Sequence, residues 1–405
     1  MSANGRFDVG GVWLDRPFRI RRLGHFGLYT DDPAAARRFY VDLLGFQISD
    51  EVDYTDRLAG HAQVAELRQH KGYFTRYGTD HHAFVLFPRR VFAALGRAVP
   101  PEIAINQLTW QLGSLKEVVE ANQWLMRNQV RIDRSGRDMP GSNWHTYMFD
   151  PDGERNELYY GIEQIGWNGR SKPRAMYDGR FDKVAELPQG PEVREVDKAA
   201  EASIDLSAGH RHREAMPFDY EVGGIMMARP FRITGIGPVR LLVRDMEAAV
   251  EFYRDRLGFE ISEEVMWHGQ RCVFLRVNTE HHSVALYPAS LAAALDLPHR
   301  TLCLSFGVRV NDYRQLRDAI AFLKRQGVRI LHLPQELLPG MDYNAFAVDP
   351  DGHLIQLYFA MEQIGWDGRP RPAAERRRID NQAWPDTVEA QSDTFRGEPF
   401  LGPWA

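Results

Sequence analysis

The 405-residue chain has only two cysteines, no long apolar run and no excess of basic residues. Cys272 and Cys303 are too few for a disulfide framework or for a metal site built on several cysteines. No stretch approaches 18 uninterrupted apolar residues, and the first residues lack the apolar core of a signal peptide, so we expect a cytoplasmic protein without membrane partners. Lys and Arg number 50 against 55 Asp and Glu, which argues against nucleic acid as a partner.

The sequence contains one long pattern twice. At about 150 residues per domain, the length allows two or three domains. Asp8–Ile20 returns as Glu221–Ile233, and Arg38–Phe46 returns as Glu251–Phe259. Further collinear matches are Thr79–His82 with Thr279–His282, Asp150–Gly153 with Asp349–Gly352, and Glu163–Arg170 with Glu362–Arg369. We predict a first copy at 8–170, a connector at 171–220 with a short helix near 193–202, a second copy at 221–369, and a tail at 370–405.

Within each copy, one strand, one helix and three further strands occur in that order, twice. In the first copy, His25–Thr30 has the pattern of a strand and Ala34–Leu44 that of a helix, which ends at Gly45. The other predicted elements are strands at 46–52, 62–68, 83–87, 103–112, 130–132, 145–149 and 156–160, and a helix at 115–128. The sequence therefore predicts an α+β fold of four βαβββ modules, paired into two domains.

Four such modules resemble the vicinal oxygen chelate superfamily, which includes glyoxalase I, bleomycin-resistance proteins and type I extradiol ring-cleaving dioxygenases. The closing segment Tyr147–Tyr159 and the doublet His81–His82 are most similar to motifs of the dioxygenases. The resemblance covers both copies. It implies glyoxalase-like domains in which two modules form an open, cup-like sheet around one divalent ion.

The resemblance implies metal ligands at His25, Gln107 and Glu157 in the first copy. Gln107 stands where the dioxygenases have a second histidine, so it is either an amide oxygen ligand or a hydrogen-bonding core residue. His25 has the alternative interpretation of a satisfied core residue. Glu157 lies in an apolar strand, where an unpaired carboxylate is costly. The implied ion is Fe²⁺, and an oxygen ligand makes Mn²⁺ the alternative.

Other residues of the first copy are candidates for catalysis and substrate binding. The resemblance implies an acid–base role for His82, whose imidazole titrates near neutral pH, and a hydrogen-bonding role for Tyr147. His145 is a further possible donor. The alternation of strand faces makes Phe84 and Tyr159 candidate substrate contacts, beside His82 and Glu157. The repeated Asp-Pro-Asp-Gly segment is interpreted as a tight turn.

The second copy lacks the ligand set. Pro238, Ser305, Gln356 and Phe346 stand in place of His25, Gln107, Glu157 and Tyr147. Proline cannot bind a metal, and the amide and hydroxyl are poor or neutral ligands. We therefore expect an active first copy and a second copy that supports the structure or shapes the substrate site.

The leading functional hypothesis is an extradiol-type dioxygenase of aromatic catabolism, which cleaves a catechol-like ring with O₂. One alternative is a metal-dependent isomerase, epimerase or lyase of the same superfamily. Another is a non-catalytic protein that binds a planar aromatic ligand. Open sheet edges and the aromatic residues of the tail favour a homo-oligomer.

Overall fold

The computed structural model describes residues 5–59, 67, 69–97, 99–179, 182–188, 193–297 and 301–397. The chain divides into two units, each with its own core. The first unit comprises residues 1–29, 47–99 and 105–213, and the second comprises 30–46, 100–104 and 214–405. The boundaries predicted from the repeat, at 8–170 and 221–369, stay predictions.

The first sequence copy forms a hairpin and one large sheet. The hairpin consists of β1 (Phe7–Val9) and β2 (Val12–Leu14). The sheet strands are β3 (Arg22–Thr30), β4 (Gln47–Asp53), β5 (Lys71–Arg76), β6 (Phe84–Pro88), β7 (Ile105–Gln111), β8 (Ile132–Arg137), β9 (Trp144–Phe149) and β10 (Arg155–Tyr160). Their order is β4-β5-β6-β3-β7-β10-β9-β8, so each half of the sheet is one module. The strand predicted at 62–68 falls mainly outside the described residues.

The helices of this part of the chain connect the strands of each module. They are α1 (Pro33–Arg37), which a π-helical turn continues over Arg38–Leu43, α2 (Thr55–Leu58), α3 (Arg89–Ala94), α4 (Leu115–Arg127), a 3₁₀ turn at Arg174–Gly179, and α5 (Val193–Glu201). Asp32 begins α1, because its carboxylate accepts the N–H groups of Ala34 and Ala35 at 3.1 Å. Gly45 ends the segment at a φ of 93°, a backbone angle that favours glycine.

The second sequence copy repeats this arrangement. Its strands are β11 (Tyr220–Val222), β12 (Ile225–Met227), β13 (Ile233–Val243), β14 (Glu260–Trp267), β15 (Gln270–Arg276), β16 (Val284–Pro288), β17 (Cys303–Val310), β18 (Ile330–Leu331), β19 (Asn344–Val348) and β20 (Leu354–Tyr358). Its helices are α6 (Met246–Val250) with a π-helical turn at Glu251–Arg256, α7 (Leu291–Ala294), α8 (Tyr313–Arg325) and a 3₁₀ turn at Gln335–Leu337. Two more 3₁₀ turns, at Leu206–Ala208 and Ala373–Glu375, lie before and after this copy.

Strands β14-β15-β16-β13-β17-β20-β19-β18 form the sheet of the second unit in the same order as in the first. Both sheets are mixed: β7 and β10 are parallel, as are β17 and β20, whereas β3 and β13 are antiparallel to β7 and β17. The two sheets with their connecting helices confirm the predicted α+β fold. Within the described parts of the chain, no helix combines the length and apolar character needed to cross a bilayer.

Strand register brings distant residues together at the centre of the first sheet. His25 on β3 pairs with Thr109 on β7, and Thr109 pairs with Glu157 on β10. Glu157 in turn pairs with Tyr147 on β9. Because paired residues on one face lie side by side, four residues from four strands meet at one place.

Matched N-caps begin the long helix of each unit. Ser114 accepts the N–H of Glu117 at 3.2 Å in α4, and Asp312 accepts the N–H of Gln315 at 2.8 Å in α8. We expect Ser114→Ala to lower the local stability of α4 by about 1 kcal/mol, which is about fivefold faster amide exchange in its first turn. Hydrogen exchange measured by mass spectrometry checks this, with α8 as the internal control. Asp312→Ala should reverse the pattern, and unchanged exchange in both helices would contradict it.

Candidate metal centre

A buried histidine–carboxylate pair lies at the centre of the first sheet. His25 Nε2 is 3.2 Å from Glu157 Oε2, and both side chains are fully shielded from solvent. Glu157 also accepts the Thr109 hydroxyl at 2.8 Å and the Asn143 amide at 2.7 Å. Burial by itself would raise the pKa of Glu157, but His25 and the hydrogen bonds hold it below its ordinary value. The pair therefore keeps an ionised carboxylate inside the sheet.

These residues fit a divalent metal ion. A nitrogen and a carboxylate oxygen 3.2 Å apart have the spacing of two ligands that share one ion, since each would lie about 2.1 Å from it. His25 Nδ1 is buried and has no hydrogen-bond partner within the described residues. Nε2 is the nitrogen that faces the carboxylate, so the ring would bind the ion through Nε2 and carry its proton on Nδ1.

A small cavity in the same unit is lined by three further predicted functional residues, His82, Gln107 and Tyr147. Its volume is about 130 Å³, and its wall includes His82, Gln107, Asn143 and Tyr147. Tyr147 donates its hydroxyl to Gln107 Oε1 at 3.4 Å. Burial, with Glu157 and Asp138 nearby, raises the pKa of Tyr147 well above its ordinary value, so its hydroxyl keeps its proton. A cavity of about 150 Å³ admits one benzene ring.

His82 is the end of a hydrogen-bonded chain that starts at a carboxylate. Asp50 Oδ2 lies 2.7 Å from His81 Nε2, and His81 Nδ1 lies 3.0 Å from His82 Nδ1. Burial, together with the neighbouring His25 and His81 rings, lowers the pKa of His82 well below its ordinary value, so it is neutral at pH 7. If Asp50 accepts the proton of His81 Nε2, then His81 Nδ1 accepts from His82, and His82 Nε2 carries a free lone pair.

The second unit contains the same chain, and there the direction of the hydrogen bonds is fixed. Glu263 lies 2.9 Å from His281 Nε2, and the Nδ1 atoms of His281 and His282 are 3.0 Å apart. Arg240 lies 3.1 Å from His282 Nε2. Because a guanidinium only donates, His282 Nε2 must accept, and its proton is on Nδ1. Because the chain from the acid through the first histidine has the same contacts in both units, we expect the same tautomer for His82.

His145 lies behind the cavity wall. Its Nε2 accepts from Arg134 at 3.0 Å, and its ring centroid is 4.5 Å from that of Tyr147. Arg134 binds both carboxylate oxygens of Asp138. Arg134, Asp138 and Tyr147 line the cavity, whereas His145 is not among the described residues of its wall. The structure thus places His145 one side chain away from the cavity, and its catalytic role stays a prediction.

The structure does not bring Phe84 and Tyr159 to the cavity wall. Phe84 is buried and stacks on Phe26 with ring centroids 6.2 Å apart. His82 precedes β6 and lies in a loop, so the alternation of strand faces does not extend from it to Phe84. Tyr159 packs against β3, where Gly24 leaves room for its ring, and its centroid lies 5.0 Å from that of His25. Their assignment as substrate contacts stays a prediction.

A buried arginine occupies the corresponding place in the second unit. Arg240 aligns with Gly27 of the first copy and is fully buried. It binds Gln356 and lies 3.1 Å from His282 Nε2 and 3.4 Å from Met341 Sδ. Gln356 and Met341 carry no charge, and His282 is neutral because burial and Arg240 lower its pKa well below its ordinary value. The second unit thus carries a cation of its own where the first has His25 and Glu157.

A second group of potential metal ligands forms the hydrogen bonds of a tight turn. Asp349, Asp351 and His353 bring their ligand atoms within 4.8 Å of one another. Asp349 accepts the backbone N–H groups of Asp351 at 3.0 Å and His353 at 2.7 Å, and it accepts the Tyr40 hydroxyl at 2.8 Å. Asp150 accepts the two equivalent amides in the first unit. These are the hydrogen bonds of the tight turn that the sequence predicts.

The model of the Glyoxalase/Bleomycin resistance protein/Dioxygenase superfamily matches residues 22–158 and again residues 235–357. The chain belongs to this superfamily. The two matches correspond to the two sequence copies, and they confirm the resemblance that the motifs indicate.

Dioxygenases are among the curated relatives of this superfamily member. The chain is 28% identical over 133 residues to a 2,2',3-trihydroxybiphenyl dioxygenase of Sphingomonas paucimobilis, covering 33% of this chain and 44% of that protein. It is 30% identical over 147 residues to metapyrocatechase 2 of Cupriavidus necator, covering 36% of this chain and 38% of that protein. The chain thus matches less than half the length of each relative.

Solved structures of the superfamily share the fold. A Mn(II)-bound glyoxalase from Novosphingobium aromaticivorans has a TM-score of 0.54 at 16% identity, covering 86% of this chain and 85% of that one. A catechol 2,3-dioxygenase has a TM-score of 0.53 at 15% identity, covering 93% and 97%. At such identities the likeness establishes the architecture alone.

Sequence reasoning missed several residues around the centre. Asn143 and Thr109 bind Glu157, and Asp50 binds His81. The repeat contained a signal for one of them. Asp50 aligns with Glu263 at the same offset that relates the first strands of the two copies, so an acid accompanies the histidine doublet in both.

The tautomer of His82 is open to direct measurement. We expect Asp50→Ala to remove the acceptor of His81 and to increase the population of His82 with its proton on Nε2. Nitrogen-15 NMR of histidine-labelled protein distinguishes the two tautomers. Glu263→Ala is the matched control, since the donor Arg240 keeps His282 protonated on Nδ1 without the carboxylate. A His82 tautomer unchanged by Asp50→Ala would refute the assignment.

Proposed function

We propose that this chain is an extradiol-type dioxygenase, which uses O₂ to cleave the ring of a catechol-like substrate next to its hydroxyl groups. One observation carries the proposal: a buried His25–Glu157 pair shares a unit with a cavity sized for one aromatic ring, and His82 lines that cavity. The dioxygenases among the curated relatives support it.

His25, Gln107 and Glu157 would hold the metal ion, Fe²⁺ or alternatively Mn²⁺. One imidazole nitrogen and two oxygens form a three-ligand set that leaves positions for other groups. When bound, the ion would supply a Lewis acid that polarises the oxygens of the diol. Asn143 and Thr109 orient the carboxylate through their hydrogen bonds, as residues behind metal ligands commonly do.

His82 accepts the proton of a substrate hydroxyl. It lines the cavity, it is neutral, and the chain through His81 to Asp50 leaves its Nε2 free to take a proton. Asp50 then stabilises the imidazolium form through His81, because a carboxylate at the end of the chain offsets the positive charge. The proton can later be returned to the ring-opened product.

Tyr147 holds substrate oxygen by hydrogen bonding. Its hydroxyl keeps its proton and lies 3.4 Å from Gln107 Oε1, so it can donate to an oxygen atom that approaches Gln107. Arg155 and Arg134 lie over its ring at 4.0 and 4.7 Å, which restricts the ring to one orientation. Phe74, Phe87 and Phe92 supply apolar wall that excludes water from the site.

Gln107 favours a second candidate function. An amide oxygen in place of a second imidazole makes the site harder, which suits Mn²⁺, and it departs from the ligand set of the dioxygenases that the chain resembles. A metal-dependent isomerase, epimerase or lyase would use the same three ligands and His82 as its base. Such an enzyme would bind the metal tightly and consume no oxygen with any diol.

Removal of the carboxylate ligand provides the first test of the proposed function. We expect Glu157→Ala to lower metal affinity at least tenfold, because it removes the anionic ligand, and to abolish oxygen uptake. Gln356→Ala is the matched control at the equivalent position of the second unit, and it should change neither quantity. Metal content is measured after anaerobic loading with Fe²⁺ or Mn²⁺, and oxygen uptake is followed with a panel of catechols.

The outcomes separate the hypotheses. Oxygen uptake with a yellow ring-opened product that disappears in Glu157→Ala supports the dioxygenase. Tight metal binding without oxygen uptake on any diol rejects it in favour of the second candidate. A chain that binds no metal rejects both enzymes and leaves the binding of a planar aromatic ligand.

A further inference from the structure

Positive charge dominates the wall of the cavity. Arg57, Arg97, Arg134 and Arg155 line it, and Asp138 is the carboxylate among its described lining residues. Arg134 is paired with Asp138, and Arg155 is paired with Asp133. Arg57 and Arg97 have no carboxylate partner in the described part of the chain. Among the described residues, these two cations on one wall therefore lack a paired carboxylate. A wall with charge of one sign attracts ligands of the opposite sign.

Arg57 belongs to a segment that the second unit lacks. In the first unit, residues 54–70 connect β4 to β5, and this connection includes α2. In the second unit, the equivalent strands β14 and β15 are joined by the turn His268–Gly269. The longer connection occurs in the unit that contains the candidate metal centre, and two of its residues, Tyr54 and Arg57, line the cavity.

Packing of α2 on α3 brings both arginines to the same wall. Tyr54 and Leu58 form a buried cluster with Val91 of α3. Arg57 lies over the Tyr54 ring at 5.6 Å. Burial raises the pKa of Tyr54 to about 12, while Arg57 and Arg97 both lower it, which places both guanidinium groups within electrostatic range of one hydroxyl. At the position of Arg97, the second copy has Leu297.

Both side chains are exposed, whereas the candidate ligands and His82 are buried. Arg57 and Arg97 therefore lie at the mouth of the cavity, and the polar residues that would meet the diol lie in its interior. Aromatic ring contacts link these two regions, from His82 through Phe74, Phe87 and Phe92 to Tyr54, with centroids 5.1 to 6.0 Å apart. This arrangement matches a molecule with a diol at one end, an aromatic ring in the middle and an anion at the other end.

We infer that Arg57 and Arg97 recognise an anionic substituent, such as a carboxylate, on the aromatic diol. The inference rests on the proposed function and narrows its substrate class. A carboxylate between the two guanidinium groups would supply the missing counter-charge and form charge-assisted hydrogen bonds with arginine. Neutral diols would enter the same cavity without this interaction.

Matched ligands test the inference in the full-length, metal-loaded protein under anaerobic conditions. The probes are two dihydroxyphenylacetate isomers with adjacent hydroxyls, together with the neutral methyl ester of each. In one isomer the side chain is next to the diol, and in the other one ring carbon lies between them. We expect one acid to bind at least about tenfold more tightly than its ester, as expected for one charge-assisted contact. The preference should shrink as salt is added. Isothermal calorimetry gives both dissociation constants.

Variants identify the residues. In the double variant Arg57→Gln/Arg97→Gln, the preference for acid over ester should disappear while the affinity for the ester stays the same. Arg90→Gln on α3 is the matched control, because Arg90 is exposed and is not among the described residues of the cavity wall. Circular dichroism confirms that the variants fold.

Two results would overturn the inference: equal binding of every acid and its ester by the unmodified protein, or a preference that survives in the double variant. Oxygen uptake tests the proposed function separately. Cleavage of neutral diols without any preference for acids would keep the dioxygenase and reject the anion site. A preference for acids that depends on Arg57 and Arg97, without oxygen uptake, would keep the anion site and reject the dioxygenase.

Discussion

The buried carboxylate of Glu157 imposes the constraint on which the first unit depends. An isolated charge in a sheet interior costs several kcal/mol, so it requires partners from every direction. β3 supplies His25, β7 supplies Thr109, and Asn143 from the loop before β9 completes the set. All of these partners donate hydrogen bonds or carry positive charge when protonated. These donors keep the carboxylate ionised and hold it in one orientation.

The second unit also buries a charged side chain at the centre of its sheet, but that charge is positive. Gln356 replaces the carboxylate, and the guanidinium of Arg240 occupies the place that Gly27 leaves open in the first copy. The histidine chain is retained, but His282 faces a donor instead of a cavity. A histidine doublet with its acid is therefore part of the architecture of both units. Its chemical use depends on whether the last nitrogen is free.

The sequence predicts the four modules and the residues that form the candidate centre, because strand spacing and the closing motif of the first copy carry both. It predicts His82, Gln107 and Tyr147 of the cavity wall but not the other side chains that line it. Phe84 is separated from His82 by the start of a strand, and Tyr159 packs into the space left by Gly24. Arg57 lies in the connection between β4 and β5, and Arg97 follows the short helix α3. In such segments tertiary packing sets the direction of a side chain, and no periodic sequence pattern predicts it.

Because of Arg240, the two units also differ in how their stability depends on the supply of metal. A ligand that binds only the folded state stabilises it in proportion to the logarithm of its free concentration. The first unit is subject to this linkage if it binds an ion, whereas the cation of the second unit is covalently part of the chain. Scarcity of the ion would then loosen the first unit and leave the second as stable as before.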